Sequence, residues 1–254
     1  MRLNYKKIGE GQPLIILHGL FGSLDNWMTH GKKWSEEYQV YLVDQRNHGQ
    51  SPHQAPFDYT SMANDLAKFI NEEQIENPIL IGHSMGGKTV MEYAVNHPDS
   101  IQKAIIVDIA PVAYEVHHYA VLQALNAVNL EEVNSRGEAN RILSVYLEDS
   151  AVRQFLLKNL YWKEKGKLAW RFNLSLIEKE IIPISEFDIS PQQYDGPTLF
   201  IKGENSPYIL PEYASAIHDK FPNYHLEVIE NAGHWVHAEA PQHFYDVCTS
   251  FMKD

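Results

Sequence analysis

Ile79-Leu80-Ile81-Gly82-His83-Ser84-Met85-Gly86-Gly87 decides how this chain is read. An apolar run stops at Gly82, and a serine follows two residues later between glycines. Gly82-His83-Ser84-Met85-Gly86 fits G-x-S-x-G, a pattern in which a strand turns sharply into a helix. The turn puts the central residue in a strained conformation, so its neighbours must lack side chains for the backbones to pass. The serine hydroxyl then stands at the carboxyl end of the strand, and the peptide N–H groups opening the next helix point at any oxyanion formed there. Five-residue patterns with two glycines also arise by chance, and a loop serine is usually just solvated. Here an apolar strand precedes the motif and a helix over residues 88–96 follows it, which is the context the motif demands. Ser84 is therefore the candidate nucleophile, and the rest of the chain must supply a base, an acid and a second oxyanion donor.

Upstream, residues 3–8 read as a first strand and residues 13–17 as a second, nearly all aliphatic, as expected of a strand buried on both faces. The second strand runs into His18-Gly19-Leu20-Phe21-Gly22, where the backbone N–H of Leu20, or failing that of Phe21, is placed to join that of Met85 at the oxyanion. A third strand, residues 39–43, leads into Asp44-Gln45-Arg46-Asn47-His48-Gly49-Gln50-Ser51-Pro52, read as an Asp44–Arg46 structural network under the pocket. Residues 59–74 have helical periodicity, with Met62, Leu66, Phe69 and Ile70 on one face and Thr60 or Ser61 as the cap. A strand over 101–107 ends in Asp108-Ile109-Ala110-Pro111. After a long interval, strand, helix, strand and helix follow at 197–203, 212–220, 225–229 and 241–252, the last opened by a proline. Repeated alternation of this kind indicates a mostly parallel sheet covered by helices on both faces.

The interval has a different texture. It is mostly helical in pattern, rich in Tyr, Trp, Leu and Glu, and lacks short aliphatic strands. The expected organisation is a core of residues 1–112 and 191–254, with residues 113–190 inserted as a helical cap. Tyr119, Phe155, Leu156, Tyr161, Trp162, Trp170 and Phe172 either roof an apolar pocket or form the cap's own core, the second being the commoner fate.

An imidazole can take the serine proton near neutral pH and return it to a leaving group. With thirteen histidines in the chain, presence alone decides nothing. On an α/β-hydrolase core the order is serine, acid, histidine. His234, in a Gly-His loop after the last strand, fits that order; His237 falls at the start of the last helix, and His18 and His83 read as loop-orienting residues. The acid usually follows the strand that here ends at Gly203, three residues past the glycine, but Ser206 occupies that place. An alcohol cannot stabilise an imidazolium as a carboxylate does. Asp108, at the end of the strand beside the elbow strand, is the replacement, with Glu204 as runner-up. His234 with His237, and His117 with His118, have the look of metal-ligand pairs; without H-E-x-x-H or a cysteine cluster, no metal or cofactor is expected.

The formal net charge of −12 argues against a general nucleic-acid binder or a surface for acidic membranes. Cys248 is the single cysteine, so a reducing compartment is the default. No apolar run has signal-peptide or membrane-span length. The chain reads as cytoplasmic, with no membrane insertion, and its oligomeric state is open.

Together these stretches resemble the bacterial YbfF-type esterases of the α/β-hydrolase superfamily. The likeness is carried by His18-Gly19-Leu20-Phe21-Gly22-Ser23-Leu24-Asp25-Asn26, residues 44–51, Gly82-His83-Ser84-Met85-Gly86-Gly87-Lys88, Val107-Asp108-Ile109-Ala110-Pro111-Val112, Trp170-Arg171-Phe172-Asn173, Asn205-Ser206-Pro207-Tyr208 and Gly233-His234-Trp235-Val236-His237-Ala238-Glu239. The resemblance implies a serine ester hydrolase that extends to acyl thioesters such as acyl-CoA, with a Ser84, Asp108, His234 triad. Residues 113–154 match less clearly. The same core also supports cleavage of a C–C bond, a lactone or an amide. In another class, it supports a ligand-binding protein with a relic site.

Overall fold

Ile79–His83 and Lys103–Val107 are buried at every position, so these aliphatic runs have no solvent-facing side and become central strands. In the computed structural model, which describes residues 1–115, 118–187 and 189–254, they are two of seven strands in one sheet. The chain lays down β1 (Tyr5–Ile8), β2 (Gln12–Leu17), β3 (Tyr38–Val43), β4 (Ile79–His83) and β5 (Lys103–Val107), then a separate hairpin, β6 (Leu160–Glu164) and β7 (Lys167–Trp170), then β8 (Thr198–Gly203) and β9 (Tyr224–Ile229). The sheet order is β1-β3-β2-β4-β5-β8-β9, and β1 alone pairs antiparallel within it. Successive strand residues face opposite sides. Leu80, Ala104 and Ile106 therefore join one apolar cluster, and Ile79, Ile81, Ile105 and Val107 the other.

Helices α1 (Met28–Trp34), α2 (Tyr59–Glu72) and α3 (Met85–Asn96) alternate with the first strands. Between β5 and β8 lie α4 (Tyr119–Ala127), α5 (Arg136–Leu143), α6 (Ser150–Leu157), α7 (Leu174–Lys179) and α8 (Ile181–Ser185). α9 (Ala214–Lys220) precedes β9, and α10 (Val236–Glu239) and α11 (Pro241–Lys253) end the chain. Every core strand expected from the sequence is present, with ends moved by one or two residues.

Four expectations need correction. The cap of α2 is Asp58, whose extended backbone lets Oδ1 accept from Ser61 N at 2.7 Å; Thr60 and Ser61 are already inside the first turn. α3 starts at Met85 rather than Lys88, directly at the elbow. The stretch between β5 and β8 is not wholly helical, because Lys165-Gly166, with Gly166 at φ 82°, turns the chain into the β6–β7 hairpin. Finally, Asp44 and Arg46 do not form one network. Arg46 Nε donates to Asp65 Oδ2 at 2.6 Å, while Asp44 accepts from Asn4 Nδ2, Leu24 N and Gln50 N at 2.7–2.9 Å and so pins the loop after β2. Both are buried and structural, but they brace different neighbours.

α3 lies hard against β2 because Gly86 has no side chain. A Cβ there would come within 2.5 Å of the Leu17 carbonyl oxygen and 2.7 Å of that of His18. Since both obstacles are backbone, the helix itself must move. Gly86→Ala is therefore expected to cost about 1–3 kcal/mol, read as a melting temperature several degrees lower by calorimetry; an unchanged melt would show that α3 has slack against the sheet.

Candidate active site

β4 ends in a turn that holds Ser84 at φ 53°, ψ −117°, outside the ordinary regions for a residue with a side chain. Ser84 N donates to the Val107 carbonyl at 2.9 Å, and Ser84 accepts from Lys88 N at 3.1 Å through its own carbonyl, so the strained residue is gripped by β5 and by α3. Such strain persists only where surroundings over-determine it. Its hydroxyl lines a cavity of about 240 Å³ together with Leu20, Phe21, His234, Trp235 and, from the inserted stretch, Phe155 and Leu156.

Asp108 follows β5 and is fully buried, with φ 53°. A buried carboxylate needs donors, and three converge on this one. Gly203 N donates to Oδ1 at 3.0 Å, Ser206 Oγ donates to Oδ2, and His234 Nδ1 lies 2.8 Å from Oδ2. Ser206, at the position where the acid usually lies, is thus a hydrogen-bond donor to Asp108. Glu204 is directed elsewhere, accepting from Asn231 N at 2.8 Å and bracing the loop after β9.

The loop carrying His234 is held on every side. His83 Nε2 donates to the His234 carbonyl at 2.8 Å. Tyr208 stacks on the imidazole with ring centres 4.2 Å apart. Glu239 accepts from Gly233 N at 2.6 Å and Trp235 N at 3.1 Å, clamping both neighbours of the histidine. His83 was read as a loop-orienting residue, and it orients this one; Tyr208 and Glu239 were missed as supports. An acidic residue five positions after the histidine, facing two loop amides, was the available signal for Glu239.

His18 also orients a loop. Gln45 N donates to its Nε2 at 3.0 Å, so the ring proton sits on Nδ1 and reaches the Gly19 carbonyl at 2.8 Å. His48 repeats the device: Phe21 N donates to its Nε2 at 3.1 Å, and Nδ1 donates to the Arg46 carbonyl at 3.0 Å. The Phe21 N–H is therefore occupied, which leaves Leu20 as the free candidate on this loop. Asn159 Nδ2 donates to the Phe21 carbonyl at 2.7 Å, tying the inserted stretch to the same loop.

His237 belongs to α10 and stacks on Trp27 with ring centres 4.4 Å apart. It does not share a ligand geometry with His234, whose Nδ1 is taken by Asp108. His117 lies outside the described residues. Among the described residues, no group of three or more His, Cys, Asp or Glu side chains is arranged to hold a metal ion. Of the roof candidates, Phe155 and Leu156 line the cavity, Trp170 and Phe172 stack on each other within the apolar interior, Tyr161 lies under the Arg171 guanidinium, and Tyr119 and Trp162 face solvent.

Comparison with known proteins places the chain in a family. Residues 12–241 match the alpha/beta hydrolase fold family, and the chain belongs to it. It is 38% identical to Esterase YbfF of Escherichia coli (strain K12), over 96% of this chain and 94% of that one. It is also 38% identical to the sn-1-specific diacylglycerol lipase ABHD11 of Mus musculus, over 94% of this chain and 80% of that one. Among solved structures, a marine microorganism esterase superposes with a TM-score of 0.96 at 42% identity, covering 99% of both chains. No helix among the described residues is long and apolar enough to cross a membrane.

The buried histidines give the fold a pH dependence. Burial pushes His18 down to about 4 and His48 and His237 down to about 3, so the folded chain holds them neutral. The unfolded chain binds protons on the same residues near pH 6.5, so it takes up more protons below that pH and stability falls. The melting temperature is expected to drop as pH falls from 6.5 to 4, with a shallower drop in His237→Gln; a flat profile over that range would contradict the assignment.

Proposed function

We propose that this chain is a serine esterase working through an acyl-enzyme, with Ser84 as nucleophile, His234 as base and Asp108 as acid. The observation that carries the reading is the His234 Nδ1 to Asp108 Oδ2 contact of 2.8 Å beside a strained serine on the same cavity. With its Nδ1 proton directed at a buried carboxylate, the imidazole presents Nε2 as the acceptor for the Ser84 proton. Asp108 fixes that tautomer and stabilises the imidazolium that forms.

Ser84 Oγ attacks the acyl carbonyl as His234 removes its proton. The negative oxygen is met by the N–H of Met85, at the N-terminus of α3, and by that of Leu20. His234 passes its proton to the departing alcohol, and the acyl group stays on Ser84. Water then repeats the sequence and frees the carboxylic acid. The chemistry needs no cofactor, and a thioester such as an acyl-CoA enters by the same steps. Residues 113–190 act as the cap on residues 1–112 and 191–254, lending Phe155 and Leu156 to the wall that receives an apolar arm.

The large cavity, about 240 Å³, falls below the roughly 300–1,000 Å³ of sites for drug-sized ligands. Esters of short to medium acyl chains are therefore expected to give the highest kcat/KM, with long chains falling away in a p-nitrophenyl ester series. A steady rise out to long chains would require the cap to open and would overturn the volume argument.

Ser84→Ala is expected to abolish both turnover and labelling by a fluorophosphonate. Asp108→Asn should keep the fold and lower kcat by about three to four decades, as wrong-tautomer changes do. Near-normal turnover in Asp108→Asn, with loss in Glu204→Gln, would reassign the acid.

A further inference from the structure

Lys88 is a buried cation that the proposed hydrolysis does not use. It lies four residues after Ser84, one turn along α3, and its N–H bonds back to the Ser84 carbonyl. Helical side chains slant toward the N-terminus, so the Lys88 chain runs back toward the elbow. The residue is 2% exposed. Its Nζ sits 4.8 Å from the ring centres of Tyr114 and Phe187 and 5.4 Å from that of Tyr59.

Aromatic faces offset part of the cost of burying an ammonium, but among the described residues no carboxylate pairs with Nζ and no carbonyl accepts from it. Lys103, also buried, shows the usual solution, donating to the Phe251 carbonyl at 2.8 Å. An unpaired buried ammonium is costly, and burial pulls Lys88 down to about 7.

Lys88 lines a cavity of about 40 Å³ that shares Leu20, Ser84 and Tyr208 with the larger one. The two cavities meet at the nucleophile. A substrate with its carbonyl on Ser84 therefore sends one arm into the large apolar space and the other into the small space with the ammonium. We propose that the small cavity is a carboxylate subsite in which Lys88 pairs with an acidic group on one arm of the ester. Half-esters of short dicarboxylic acids, or esters of short hydroxy acids, are then preferred over neutral esters of the same length. The volume suits a carboxylate with a short linker, being a few times the space one water needs. The inference rests on the serine-esterase reading of Ser84.

The other ionisable groups facing this space are Tyr59 from α2, Tyr114, Glu115 and His118 from the chain after β5, and Tyr208 from the loop after β8. Burial pushes Tyr59, Tyr114 and Tyr208 above the ordinary phenol value, so they stay neutral. Glu115 is exposed, whereas Lys88 is enclosed.

The test compares kcat/KM for monoethyl succinate, glutarate and adipate with the ethyl esters of the corresponding monoamides. A second arm uses the acetyl ester of 4-hydroxybutyrate against that of its amide, which moves the carboxylate to the alcohol side. One arm should show an acid-over-amide ratio of roughly ten to a hundredfold, the size expected of a hydrogen bond to a charged group. The ratio cancels any pH dependence that acid and amide substrates share. It should be full between about pH 5, where the substrate carboxylate is ionised, and pH 7, and decline as pH rises through about 7, as Lys88 in the free enzyme loses its proton. Lys88→Met should bring it to about one; if that variant does not fold, the wild-type pH profile of the ratio decides alone. Ratios near one in both arms at every pH, with neutral esters still hydrolysed, would overturn the subsite and leave the esterase standing. No turnover of any ester and no fluorophosphonate labelling would overturn both.

Discussion

The site depends on a buried carboxylate meeting an imidazole across two segments 126 residues apart. Asp108 has no solvent to share its charge with, so every donor around it is committed: the Gly203 amide from the end of β8, the Ser206 hydroxyl one turn later, and His234 from the loop after β9. These donors come from neighbouring parallel strands whose carboxyl ends lie together. The sheet order β4-β5-β8-β9 is therefore what makes the charge tolerable. Removing one partner of such a buried pair leaves an uncompensated charge and typically costs about 3–5 kcal/mol, which couples the chemistry of the site to the integrity of the sheet.

Around that contact the protein invests in neutral histidines. His18 and His48 each accept a backbone N–H on Nε2 and donate from Nδ1, and both lie on the loop system that presents Leu20. His83 donates to the carbonyl of His234 itself, and burial holds it well below the ordinary histidine value. Protonating any of them would turn an acceptor into a donor facing another donor, or place a positive charge beside His234. Burial keeps them as fixed dipoles, whereas His234 is partly open to the cavity.

Much of this was legible in the sequence. The elbow is a backbone requirement, so Gly82, Ser84 and Gly86 announce it locally. Strand order singles out His234 among thirteen histidines, and Ser206 in the usual acid position points to Asp108; the structure brings these two side chains into contact, and their catalytic roles are the proposal. What escaped reading depends on contacts between distant segments. That Arg46 would turn to Asp65, and that His48 would take the N–H of Phe21, follows from how loops stack over the sheet, which spacing along the chain does not encode. The β6–β7 hairpin was lost because it is short and mostly polar; its Lys165-Gly166 turn was the one cue. Asp58 caps α2 because its extended backbone aims the carboxylate at Ser61 N, which composition around Thr60 and Ser61 does not reveal.

The central claim is that Asp108 holds His234 ready to activate Ser84, and it is tested without knowing the natural ester. The measurement is the second-order rate constant for inactivation by a fluorophosphonate, compared between the wild-type protein and Asp108→Asn at a temperature where both are fully folded. The account predicts a rate lower by about a thousandfold in the variant, in line with the loss seen when a triad carboxylate is neutralised. Equal rates in two equally folded proteins would contradict it.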